Sequence, residues 1–153
     1  MKMGLRALRS RRRVLLSRLE GLGFSPRLTE ALHEVDKRES GAGSELDFKA
    51  AMYLLRSFLE AFVHEAAVRV SGRSEVQLPQ GDILKPFAPW KDYLRNASLI
   101  TRQEEELLQK LYGYLSAESV HALGTGPEQL RFSRVTVIEW CMLIAGRVQK
   151  YLN

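Results

Sequence analysis

Cysteine is nearly absent: Cys141 is the only one in 153 residues, so no disulfide can form within the chain. Histidine is almost as scarce. The three copies, His33, His64 and His121, lie too far apart for a Cys/His zinc spacing, and no metal or cofactor is expected. No apolar run reaches the roughly 20 residues needed to cross a bilayer, and the N-terminal stretch lacks the uninterrupted apolar segment of a secretory signal. A soluble, cytoplasmic protein is the expectation. Alternating apolar and polar residues of strand type are missing as well, as are internal repeats. Acidic residues are missing from the N-terminal arm. MKMGLRALRSRRRVLLSR carries seven of the 23 Lys and Arg and no acid before Glu20, which leaves 16 basic residues against 18 acidic ones elsewhere. The net charge of +5 therefore belongs to this arm.

What is present is helical periodicity. In the arm, Leu5, Leu8, Leu15, Leu16, Leu19 and Leu22 recur at helical spacing, with Arg11 to Arg13 mostly off that stripe. Gly21 and Gly23 end this basic amphipathic helix, and Ser25-Pro26 reads as an N-cap with proline at the first helical position. A short helix to about Lys37 follows, with Leu28, Ala31, Leu32 and Val35 on one face. Ser44 with Asp47 opens a long helix from about Glu45 to Val70, in which Leu46, Ala50, Tyr53, Leu54, Phe58, Ala61, Phe62 and Val68 are expected to line the core. The Gly- and Pro-bearing stretch at about residues 71–88 reads as an excursion loop. Trp90 to Ala97 reads as a short helix. Thr101 with Glu104 forms a capping box for the next, which carries Leu107, Leu108, Leu111, Tyr112 and Leu115 inward. A last helix, from Pro127 or Ser133 to Leu152, presents Val135, Ile138, Met142, Ala145 and Val148. The expectation is an all-α, up-and-down bundle of about five to six helices, with a basic N-terminal helix over 1–23 and the bundle over 24–153.

Two stretches, DFKAAMYLLRSFLE and LYGYLSAESVHALGTGPEQLRFSRVTVIEW, resemble the HEPN superfamily of small helical domains. The likeness spans about residues 44–152 and points to a bacterial branch. It implies a bundle that commonly dimerises and works on RNA, as a ribonuclease of toxin, defence or processing systems or as a noncatalytic companion. Active members of the family place an arginine four to six residues before a histidine. The histidine moves a proton and the arginine steadies phosphate charge, as metal-free RNA cleavage requires. His121 matches the histidine. The arginine's place is taken by Tyr114, Leu115 or Ser116, none of which is cationic. The resemblance therefore implies a noncatalytic or degraded domain acting as a dimeric binding module. The rival is a ribonuclease in which Arg131 or Arg134 folds back to serve His121 as the catalytic pair. The required spacing also occurs as Arg27 and His33, a match that chance alone supplies about once in such a chain.

Blander readings stand beside these. His121 can hold a turn by bonding a carbonyl or Glu118, and the glycines at 124 and 126 suit a helix end and turn. Glu104 to Glu106 suit a solvated first turn. Trp90, Tyr93, Tyr112, Tyr114 and Trp140 can stack bases but sit on apolar stripes that suit a core. Glu139 stands inside VTVIEWCMLIA and needs a partner, either an arginine such as Arg56 or a dimer seam. In the arm, Arg9, Arg11, Arg12, Arg13 and Arg18 are the candidates for binding RNA or DNA phosphates. The same helix is also suited to lie on an anionic membrane surface, to dock on a protein partner, or to pack on its own bundle.

Overall fold

The computed structural model describes residues 2–41, 43–72, 87–120 and 126–153, with side chains from Ser10 onward in the first helix and up to Ala117 before the third gap. Six helices make up the described residues: α1 (Lys2–Gly21), α2 (Pro26–Ser40), α3 (Glu45–Ser71), α4 (Phe87–Asn96), α5 (Arg102–Val120) and α6 (Pro127–Leu152). The fold is an all-α helical bundle, and no strand occurs among the described residues. Most of the expected excursion loop, and residues 121–125 with His121, lie outside the described residues.

Local chemistry sets the helix starts. Ser25 caps α2 by accepting the Arg27 N–H at 3.2 Å, with Pro26 at the first position. Ser44 caps α3, while the Asp47 carboxylate accepts the Gly43 N–H at 3.0 Å. At α5 the Thr101 hydroxyl accepts the Glu104 N–H at 3.2 Å and the Glu104 carboxylate accepts the Thr101 N–H at 2.8 Å. These reciprocal bonds satisfy backbone donors that a helix start leaves open. Between α1 and α2 the chain reverses at Gly23, whose φ of 78° is the left-handed conformation that glycine adopts without a side-chain clash. Arg69 donates to the Gly23 carbonyl and Glu65 accepts the Ser25 N–H at 2.6 Å, so α3 holds this turn.

α3 is the spine, packed against α2, α4, α5 and α6, and α1 packs along α6. Because it has neighbours on most sides, α3 buries Met52, Leu55, Phe58, Leu59, Phe62, Val63, Ala66 and Ala67 around much of its circumference. Leu46 and Tyr53, expected inside, are exposed, as is Leu107 of α5. Leu46 sits in the first turn of α3. For Tyr53 the buried band runs instead through its neighbours Met52 and Leu55. Leu15 and Leu19 of α1 are buried in the same core as the rest. Trp140 is core, edge-on to Phe62 with ring centroids 6.1 Å apart, and Phe62 also meets Phe24 at 5.7 Å.

The acidic start of α5 is not a solvated cluster. Glu105 is buried and bonds Lys91 at 2.9 Å and Arg95 at 3.2 Å, leaving Glu106 as the exposed member. Glu104, 18% exposed, accepts from Arg147 at 2.5 Å, and Arg147 also donates to the Leu99 carbonyl at 3.1 Å. The Arg147 hydrogen bond outweighs partial burial and, with the Thr101 bonds, holds the Glu104 carboxyl at about 2. A carboxyl depressed in the fold stabilises it above the unfolded value near 4.5, and that contribution drains as pH falls toward 2. It is worth roughly 2 kcal/mol after allowance for solvent screening. Arg147→Met is therefore expected to lose about this much stability at neutral pH. Its deficit against wild type should shrink between pH 4.5 and 2, as followed by circular dichroism in urea. A deficit constant over that range removes Glu104 as its source.

Candidate nucleic-acid interface

A helix advances 100° per residue, which sorts the basic residues of α1 by direction. Lys2, Arg6, Arg9 and Arg13 follow one another at spacings of four, three and four, and fall within about 40° of a single line. Buried Leu15 and Leu19 hold register positions on the opposite side of the helix. Arg13 is exposed. The line is roughly 16 Å long at 1.5 Å per residue.

Arg11 and Arg12 on the flanks of α1 are already engaged. Arg11 meets Glu139 of α6 through two parallel hydrogen bonds of 2.7 Å. Each side chain is 46% exposed, so the carboxylate expected to be buried instead lies at the surface, paired with Arg11 and not with Arg56. Two residues that far apart in sequence leave no mark of their pairing in the local pattern. The bonds hold the Glu139 carboxyl below its ordinary range. Arg56 pairs with Glu60 at 3.5 Å and stands over the rings of Tyr53 and Tyr112. On the other flank Arg12 bonds Asp36 of α2 and lies 3.4 Å from the His33 ring nitrogen. Arg18 lies 3.6 Å from where a Cβ would stand on Gly146 of α6. The matches 11 with 139 and 18 with 146 keep a constant offset, so α1 and α6 run parallel and in register.

Of the residues proposed for catalysis, Arg131 and Arg134 stand one turn apart on α6. Arg134, 13% exposed, is bound by Asp36 at 2.9 Å and Glu39 at 2.6 Å, a carboxylate pair that also serves Arg12 through Asp36. Arg131 is exposed. His121 lies outside the described residues, so its distance to either arginine is not part of this geometry. Of the residues in the family's arginine place, Leu115 is fully buried and the Ser116 hydroxyl donates to the Tyr112 carbonyl at 2.9 Å. Arg27 and His33 diverge on α2: the first borders a cleft with Trp90, and the second faces Arg12.

Cys141 is wholly buried, and burial pushes its thiol well above the ordinary value, so it is no nucleophile. Among the described residues no group of three His, Cys, Asp or Glu side chains is placed to hold a metal ion. No described helix is long and apolar enough to cross a membrane. The cationic line was within reach of the sequence, since its spacing can be counted. His33, Asp36 and Glu39 were not, because nothing near them in the chain names Arg12 or Arg134. Comparison with family models, with curated proteins and with solved structures gives no match.

Proposed function

We propose that this chain is a HEPN-like, noncatalytic binding module of a bacterial RNA-linked or defence system, dimeric and nucleic-acid-binding through α1. The observation that carries the reading is the register line Lys2, Arg6, Arg9 and Arg13 on a helix that buries Leu15 and Leu19 in the core and is tied to Glu139 and Asp36 through Arg11 and Arg12. Cations spaced along one line of a helix meet successive phosphates without first ordering an unstructured backbone, which spares entropy of binding. Exposed Val14 and Leu143, on the two parallel helices, offer apolar area for a second copy. Of the two arginines in the ribonuclease alternative, Arg134 is held by two carboxylates and Arg131 is exposed.

Binding to a fluorescent single-stranded RNA or DNA, followed by anisotropy, tests this. Four cations on a single strand correspond to a log–log salt slope of about −2.8, or a loss of about 50-fold in affinity between 50 and 200 mM salt. Absence of salt-sensitive binding to both polymers at low ionic strength would defeat the reading. Binding to anionic vesicles in their place would favour a membrane-surface regulator.

A further inference from the structure

Ser57, Glu60, Ala61 and His64 fall on one face of α3, at positions i, i+3, i+4 and i+7. A cleft of about 280 Å³ opens over that face, bordered by Arg27 and Ala31 of α2 and by Trp90 of α4. The two alanines leave the space. On one wall the His64 and Trp90 rings lie against each other, with centroids 4.1 Å apart and planes tilted by 33°.

The carboxylate in the cleft is already held. Glu60 accepts the Tyr112 hydroxyl at 2.5 Å and faces Arg56 at 3.5 Å. Burial first, and then this hydrogen bond, push the Tyr112 phenol up to about 12, so it remains a donor throughout the ordinary pH range. Arg27 differs: its side chain is exposed at the rim, and no ion pair involves it among the described residues. The lining thus offers one uncommitted cation, the Ser57 hydroxyl and an aromatic wall.

We propose that this cleft binds a small aromatic carboxylate, whose carboxylate forks onto the Arg27 guanidinium and whose ring lies against Trp90. One guanidinium matches a single negative charge in bidentate geometry. A phosphate monoester dianion calls for a second cation, and Arg56 is occupied by Glu60. The volume lies at the lower edge of ligand cavities, which run from about 300 Å³ upward, and so suits one ring or a fused pair. The site is separate from the arm and does not depend on nucleic-acid binding.

Titration calorimetry of the whole chain with 2-naphthoate tests the proposal, beside 2-naphthamide, cyclohexanecarboxylate and 2-naphthyl phosphate. The expected result is saturable binding of 2-naphthoate below about 1 mM, with each of the other three at least about tenfold weaker. Arg27→Met is expected to weaken 2-naphthoate by about tenfold or more with an unchanged melting temperature, because the side chain is exposed and methionine suits a helix. Any one of four results overturns the proposal: no heat with 2-naphthoate at about 1 mM, equal binding of the amide, tighter binding of the phosphate, or undiminished binding by Arg27→Met.

Discussion

Phe62→Ala is expected to lower the unfolding free energy by about 3–5 kcal/mol, enough to leave little of an ordinary domain's stability. Phe62 is fully buried midway along the spine helix, and its ring meets Phe24 from the α1–α2 turn and Trp140 of α6. Truncation removes apolar contact between α3 and two other parts of the molecule at once. Surroundings that belong to three separate segments cannot all close on the same void, which places the cost toward the upper part of that range. For a chain of this length the melting temperature should fall by roughly 6–20 °C. Urea unfolding followed by circular dichroism measures it. Phe62→Leu, which keeps more of the volume, should retain more stability than alanine. A loss below about 1 kcal/mol for alanine would mean that Phe62 does not join these segments.

The second large effect concerns binding. Arg6→Glu, Arg9→Glu and Arg13→Glu made together should weaken nucleic-acid affinity by about a thousandfold at low salt and flatten its salt dependence. Unfolding does not account for such a loss, because glutamate is as good a helix former as arginine and an acid near a helix start is favoured by the helix dipole. The control is a variant of identical net charge made elsewhere, with Arg38, Arg102 and Lys110 each changed to Glu. All three are exposed residues of other helices. Equal losses from both variants would show that net charge alone attracts the polymer, and the line on α1 would then have no special part.

Along-chain chemistry made most of the helices legible. Ser25-Pro26, Ser44 with Asp47, and Thr101 with Glu104 each begin a helix where they stand, because a cap acts within one turn. Periodicity was a poorer guide to which side of α3 is buried: with neighbours on most sides its stripe is broad, and Tyr53 cannot be told from Met52 by spacing alone. The site was legible in halves. The cations of the arm announce themselves by density, but their division into bound and available ones depends on Glu139 and Asp36, which only folding brings near. Glu139 misled because its neighbours in sequence are apolar, whereas its neighbour in space is an arginine on α1.

The parallel run of α1 beside α6 also gives the molecule a polarity. Each helix carries about half a positive charge at its start and half a negative charge at its end, so two parallel helices in register add their dipoles instead of cancelling them. At the end where both helices finish, Arg18, Arg147 and Lys150 gather around a groove of about 480 Å³ and offset the negative poles. The positive poles of both helices fall at the other end, where α1 and α6 begin. The pair of helices therefore presents a graded field along its length, most attractive to negative charge at the end where both begin.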